Sequence, residues 1–330
     1  MKVVMPLAGK GTRLRPHTHV TPKPLLKVGE KPVLAYILDD LRALGVHEAV
    51  CITGHLKERV EEYMAKEYPD FHAVYVEQVE QRGTADAVAL AEPYVKEELL
   101  IIFVDTLFDA DLTVVKRLPD DVAGVIWAKA VEDYQRFGVI ITDEDGFMKQ
   151  IVEKPSEPVS KLANIGLYYI KDWKLLFEGI RDTMERGPGP AGEYFLTDAF
   201  QYMVDHGAKL KVEPVRGWYD AGKPETLLET NLHVLSTTRG KRPEAADGVT
   251  IHEPVHVADG VTLEAAEIGP NVTIGPGSTV RRSRLRDTIV GEASEVEDAE
   301  LADSLIGSHA KVRGVKGRVD LGDHSVVANG

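Results

Sequence analysis

Residues 2–27, KVVMPLAGKGTRLRPHTHVTPKPLLK, decide how this chain is read. Val3, Val4, Met5, Pro6 and Leu7 form a short apolar run suited to a strand buried on both faces. The run ends at Gly9 and Gly11, which let backbone approach a ligand and adopt positive φ. Thr12, Arg13, Arg15, Lys23 and Lys27 follow. No acidic residue precedes Glu30, yet the 330-residue chain carries a formal charge of −14. A cationic, glycine-loosened loop in an acidic protein points to a small polyanionic ligand.

Outward from this loop, strand and helix signals alternate. Leu34, Ile37, Leu38, Leu41 and Leu44 recur at helical spacing between Pro32 and Gly45. Residues 49–53, 73–77 and 99–104 read as strands, and 56–65 and 84–90 as helices. That alternation implies a Rossmann-like, mainly parallel sheet in an α/β domain. Ligands of such sheets bind beyond the carboxyl ends of the strands, where Gly9 and Asp105 fall. Residues 139–141 and 147–152 read as a hairpin about the turn 143–146. Residues 164–170 read as a further strand, with helices over 173–184, 195–206 and 224–236. These elements make a catalytic domain of 1–236, and the polar stretch 237–246 reads as a linker.

Beyond the linker, over 247–330, the period changes. Ile251, Val257, Leu263, Ile268, Ile274, Val280, Leu285, Val290, Val296, Leu301, Ile306 and Val312 recur at steps of five or six. Small and turn-forming residues lie between them. This is the signature of a hexapeptide-repeat parallel β-helix; an ordinary small β-sandwich is the plainer alternative.

The totals exclude several classes. An acidic balance (pI ≈ 5.3) argues against a nucleic-acid partner. No apolar run is long enough to span a membrane. Val3–Leu7 is too short for a secretory signal, so a cytoplasmic location is expected. Cys51 is the only cysteine, which rules out an internal disulfide, and it reads as a buried strand residue. The histidines, among them His17, His19, His252 and His256, lack companions at zinc-like spacing.

The first loop fails two common phosphate patterns. GxxxxGK[ST] is absent, and Leu14 stands where a dinucleotide fingerprint needs its third glycine. Pro16, Pro22 and Pro24 prevent a helix from starting directly after the glycines. The expectation is a long, extended loop wrapped round a triphosphate. Arg13 would bind phosphate oxygens bidentately and Lys23 would add a compact charge.

The loop LAGKGTRLRP…TPKPLL resembles the signature of sugar-1-phosphate nucleotidylyltransferases, the glucose-1-phosphate thymidylyl- and uridylyltransferase group. Further segments match in order: EQVEQRGTADAV (77–88), IIFVDTLF (101–108), FGVIITDEDGFMKQIVEKP (137–155), NIGLYYI (164–170), EYFLTDAF (193–200) and WYDAGKPETLLETN (218–231). The resemblance implies attack of a sugar-1-phosphate, glucose-1-phosphate first, on the α-phosphorus of dTTP or UTP. It implies Mg²⁺ held by Asp105 and Asp220, and a left-handed C-terminal β-helix used for homo-oligomer contacts. It places the nucleotide on Leu7, Ala8, Gly9, Gly11, Thr12, Arg13, Gln78, Gly83 and Asp105. It places the sugar phosphate on Gly138, Glu153, Lys154, Asn164 and the backbone at Gly166, with Arg13, Lys23 and Lys154 as catalytic cations.

Physical reasons accompany these roles. Both reactants are anions, so charge neutralisation and alignment dominate the barrier. Mg²⁺ takes one or two carboxylates plus phosphates and water. An amide such as that of Gln78 offers donor and acceptor to a base edge. Pro155 favours an extended Lys154 that projects its ammonium into a cleft. The plainer readings are a solvated basic loop for 9–23, turn or cap roles for Asp105 and Asp220, and exposed surface groups for Gln78, Glu153 and Lys154. Two features depart from the family pattern. The loop reads AGKGTRL, one residue shorter than the usual AGGxGTRL and closer to bacterial uridylyltransferases, and Val104 replaces the glycine that usually precedes the metal aspartate. Two other functions compete: a second, acyl-transfer activity using His309, and a non-catalytic sugar-nucleotide-binding subunit. The second conflicts with the presence of Arg13, Lys23, Asp105, Lys154 and Asp220.

Overall fold

The computed structural model describes residues 1–189, 192–238, 240 and 248–329. The chain divides into two compact units, and they do not follow the order of the sequence. One holds Met1–Gly9 and Ile37–Trp218; the other holds Lys10–Tyr36 and Tyr219–Gly330. The cationic loop thus belongs to the unit that contains the C-terminal repeats. The expected linker at 237–246 lies largely outside the described residues.

The first unit is built on a mixed sheet. Its strands are β1 (Lys2–Pro6), β2 (Glu48–Thr53), β3 (His72–Glu77), β4 (Leu99–Ile102), β5 (Thr106–Asp109), β6 (Val122–Ala130), β7 (Gly138–Thr142), β8 (Met148–Glu153), β9 (Leu162–Ile170) and β10 (Lys209–Pro214). The sheet order is β8-β7-β9-β4-β1-β2-β3, with β6 between β9 and β10, and β5 lies outside this sheet. β4, β1, β2 and β3 are mutually parallel, as the alternating pattern requires. β9 runs antiparallel to β4, β6 and β7. Among the described residues four α-helices belong wholly to this unit: α2 (Lys57–Glu67), α3 (Thr84–Ala89), α4 (Trp173–Arg186) and α5 (Leu196–Asp205). Helix α1 (Val33–Leu44) follows the cationic loop. Val4, Val50, Ile52, Leu99 and Ile101 are fully buried in the sheet core, each contributing about 1.5–3 kcal/mol. Cys51, between Val50 and Ile52 on β2, is also buried and its thiol is pushed up to about 12, first by that burial. This leaves it no nucleophilic role. The strands β5, β6 and β10 have no counterpart in the sequence reading.

In the second unit the cationic loop is not extended. It winds through three single 3₁₀ turns, Thr12–Leu14, His17–His19 and Lys23–Leu25. The prolines exclude an α-helix, but Pro16 and Pro22 sit at the caps of two of these turns and Pro24 inside one. A 3₁₀ turn tolerates them because it needs so few backbone donors. A short hairpin, Lys27–Val28 with Lys31–Pro32, closes the segment.

The repeats form a parallel β-helix with three faces. Each face stacks one ladder of apolar residues inward: Ile251, Ile268, Leu285 and Leu301 on the first. Val257, Ile274, Val290, Ile306 and Leu321 form the second. Leu263, Val280, Val296, Val312 and Val327 form the third. The coils shorten along the stack, from 17 residues (Ile268 beside Leu285) through 16 (Leu285 beside Leu301) to 15 (Lys311 beside Val326). This drift explains why the sequence shows steps of five as well as six. Three corner columns adopt left-handed backbone. One contains Ala265, Arg282 and Asp298, another Asn271, Asp287 and Asp303, and the third Ala293, His309 and His324. Two outward columns alternate in charge from coil to coil: Glu267, Arg284, Glu300, Lys316 on one face and Glu264, Arg281, Glu297, Arg313 on another.

Helix α6 (Pro224–Thr238) is fastened to this stack by a buried polar network. Asn231 donates to Asn271 Oδ1 and accepts from Thr273 Oγ1, both at 2.8 Å. Its Oδ1 also accepts from the Gly29 N–H at 2.8 Å, which brings in the hairpin of the cationic loop.

Candidate active site

Within the first unit the predicted residues gather at the ends of the parallel strands. The Leu7 N–H bonds the Ile52 carbonyl at 2.7 Å, and the Ala8 carbonyl accepts from the Gln81 amide. Leu7 and Ala8 are buried, Gly9 exposed. Gln78 is not the exposed side chain of the plainer reading; it is only 7% exposed. Its Nε2 donates to Asp86 Oδ2 at 2.8 Å and lies 3.4 Å from the Gly83 carbonyl. A carboxylate only accepts, so Asp86 fixes which end of the amide faces it. Asp86 in turn receives Arg82 Nη2 at 2.7 Å. Gly83 has φ +116°, and a Cβ there would sit 2.4 Å from the Tyr194 carbonyl oxygen, so only glycine fits. Ala85 N–H and Tyr194 N–H complete the junction between 82–85 and 194–196.

A second group surrounds Gly138. Only glycine lets these side chains approach so closely: a Cβ would meet Asn164 Nδ2 at 2.4 Å and Glu153 Oε2 at 2.8 Å. Asn164 donates to the Gly138 carbonyl at 2.9 Å and accepts from the Tyr168 hydroxyl. Thr197 Oγ1 donates to Glu153 Oε2 at 3.1 Å. Burial raises the Glu153 carboxyl above the ordinary glutamate range, against Lys154 and Thr197, which favour its charge. Burial raises the Tyr168 phenol too, and the negative charges of Glu153 and Asp105 add to the effect. Gly166, at φ +77°, sits where the pairing of β9 with β6 shifts register between Asn164 and Tyr168. Its carbonyl accepts from Phe103 N–H, beside the turn that carries half-buried Asp105.

Lys154 differs from expectation. Its φ is +44°, in the left-handed region despite Pro155. A hydrogen bond from its N–H to the Phe137 carbonyl, at 3.0 Å, holds this backbone. Such strain in a non-glycine residue concentrates at functional sites. The exposed ammonium lies 4.0 Å from Glu153 Oε1 and from Glu193 Oε2, and 4.9 Å from the Phe195 ring centre. Tyr168, Asp86, Thr197 and Glu193 were not singled out from the sequence, although Thr197 and Glu193 lie in EYFLTDAF and Asp86 in GTADAV.

The second unit holds the rest. Gly11 has φ +58°, and a Cβ there would meet Thr18 Cγ2 at 2.9 Å and Lys23 Cβ at 3.2 Å. Thr18 Oγ1 donates to the Gly11 carbonyl at 2.8 Å. Thr12 and Arg13 are exposed and Lys23 is half-buried. Asp220 is held in place: Oδ1 accepts from Gly222 N–H at 2.8 Å and Oδ2 from Thr226 Oγ1 at 3.0 Å. A Cβ at Gly222 would lie 2.7 Å from Asp220 Oδ1 and 3.0 Å from Arg13 Nη2, so carboxylate and guanidinium flank one point. Each Asp220 oxygen retains a lone pair after these bonds, which suits a hard cation. Among the described residues no three His, Cys, Asp or Glu side chains cluster as a metal cage. An ion bound by Asp220 would therefore complete its shell with phosphate oxygens and water. His309 is an exposed corner residue whose ring stacks on His324 at 4.8 Å.

Residues 2–237 match the family described as nucleotidyl transferase. The chain belongs to that family. The UTP–glucose-1-phosphate uridylyltransferase AglF of Haloferax volcanii is 33% identical over 243 residues, 72% of this chain and 98% of its own. The glucose-1-phosphate thymidylyltransferase of Streptomyces antibioticus is 30% identical over 299 residues, 88% of this chain and 81% of its own. A solved UDP-glucose pyrophosphorylase in complex with UDP-glucose aligns with a TM-score of 0.63 over 71% of this chain and 98% of that one. At 24% identity this last likeness bears on the fold alone. This nucleotidyl transferase has no described helix long and apolar enough to cross a membrane.

Proposed function

We propose that this chain joins a sugar-1-phosphate, glucose-1-phosphate first, to the nucleotidyl group of dTTP or UTP and releases pyrophosphate. The observation that carries the reading is the polar cluster packed on Gly138. Glycine there lets Glu153, Asn164 and Thr197 close in as one hydrogen-bonded group with acceptors and donors suited to sugar hydroxyls, and the Lys154 ammonium stands beside Glu153. The uridylyltransferase and the thymidylyltransferase that this chain resembles are named for different nucleotides, so both remain in the proposal.

In this reading Gly9, Gly11 and Thr12 offer backbone to the triphosphate, and Arg13 and Lys23 neutralise it. Gln78 and Gly83 face the base. Lys154 holds the sugar phosphate so that its oxygen meets the α-phosphorus in line with the departing pyrophosphate. Asp105 and Asp220 are the residues that would hold Mg²⁺, which when bound neutralises phosphate charge. Residues 1–236 form the catalytic domain by carrying these groups, and 247–330 form the β-helix, to which we assign contacts in a homo-oligomer. A cytoplasmic location fits substrates of this kind.

The test is pyrophosphate release measured across five nucleoside triphosphates and several sugar-1-phosphates, with and without Mg²⁺. Asp105→Asn abolishes turnover with the fold intact; full activity of that variant refutes the metal role. Lys154→Ala raises KM for the sugar phosphate about tenfold or more, the worth of one charge-assisted contact of roughly 1.5–3 kcal/mol. An unchanged KM refutes its role.

A further inference from the structure

The β-helix does more than stack on itself: its last coil touches the cationic loop. His17, 7% exposed, places Nε2 2.5 Å from Asp320 Oδ1. A Cβ on Gly322 would lie 3.0 Å from Pro16 Cβ, so the coil backbone packs directly on the loop. Lys27 Nζ lies 3.8 Å from Glu292 Oε2 two coils earlier. The link continues inward, because Thr18, the next residue after His17, donates to the Gly11 carbonyl and fills the space in front of Gly11.

We propose that Asp320 is a positioning residue, which acts through His17 to hold the 3₁₀-wound loop in its phosphate-binding shape. Asp320 touches no reacting atom in this scheme. A buried imidazole that loses its partner either pays the cost of an unsatisfied polar group or swings out. His17 and Thr18 occupy one turn, so that movement carries Gly11 with it. The division of the chain agrees independently: Lys10–Tyr36 is one compact unit with Tyr219–Gly330. The inference rests on the nucleotidyl-transfer reading only for what the loop binds, not for what braces it.

The test compares the full-length chain with Asp320→Ala and Asp320→Asn. Lys316→Ala serves as a control, since it removes an ion pair to Glu300 close by in the coil that closes the stack without touching the loop. Amide hydrogen exchange of residues 10–27 and steady-state kinetics are read together. Asp320→Ala speeds exchange in 10–27 and raises KM for the nucleoside triphosphate about tenfold, while kcat stays within about threefold. Asp320→Asn, which keeps an oxygen acceptor for the ring N–H, restores most of both. Lys316→Ala changes neither. The proposal is overturned if Asp320→Ala leaves exchange in 10–27 unchanged, or if exchange rises with no change in KM. It is equally overturned if Lys316→Ala reproduces the Asp320→Ala pattern, which is the mark of general weakening of the coil. If the wild-type chain turns over no nucleotide but exchange responds as stated, the brace stands and the proposed reaction falls.

Discussion

Asn231→Ala tests the bond between helix α6 and the β-helix. Asn231 is fully buried, and its amide serves three groups: the Gly29 N–H, the Thr273 hydroxyl and Asn271 Oδ1, each at 2.8 Å. Alanine serves none of them. The Thr273 hydroxyl can rotate, but Asn271 keeps only the bonds its Nδ2 donates to the Leu228 carbonyl and Asp287, and its Oδ1 loses its donor. The Gly29 N–H has no such freedom. Each orphaned buried group costs about 1–3 kcal/mol, so the expected loss is about 3–5 kcal/mol. That is a large share of a typical stability of about 5–15 kcal/mol. Urea unfolding measures it as a fall in midpoint at constant slope. Leu232→Ala, at an exposed neighbouring position, is the control and should change stability by less than about 0.5 kcal/mol. A loss below about 1 kcal/mol for Asn231→Ala refutes the view that this network fastens helix to coil.

Two further outcomes follow from the first unit. Gly83→Ala meets the Tyr194 carbonyl and demands a φ that alanine disfavours; it should raise KM for the nucleotide at least tenfold, and an unchanged KM refutes the fit argued for the base segment. Burial raises the Glu153 carboxyl in the folded state, so its contribution to stability is full below the ordinary glutamate range and is lost as pH rises through the folded value. Glu153→Gln should therefore melt higher than wild type at neutral pH, with the gap closing in acid, while activity falls; a gap independent of pH refutes the assignment of cause.

Much of this was legible in the sequence because it is periodic. The parallel core strands show as apolar runs, helix α1 as Leu34, Ile37, Leu38, Leu41 and Leu44, and the β-helix ladders as branched residues at near-constant steps. The loop conformation was not legible: proline rules out one helix type without saying that a tighter one replaces it. Lys154 was misjudged for a similar reason. The local preference set by Pro155 is worth little against the hydrogen bond to Phe137 that closes the open end of the β7–β8 hairpin. Asp86 and Tyr168 went unseen because their importance lies in what they orient, Gln78 and Asn164, and only folding brings each pair together.

The alternating charge columns restrict how this protein can change length. Removing the coil that carries Arg281 and Arg284 would set Glu264 beside Glu297 and Glu267 beside Glu300, two like-charge contacts at one stroke. Removing two consecutive coils keeps every neighbour opposite in sign. Individually such surface pairs are worth little, but together they impose a parity rule, under which duplication or loss of repeats proceeds in even numbers and a single-coil insertion is marked for rejection.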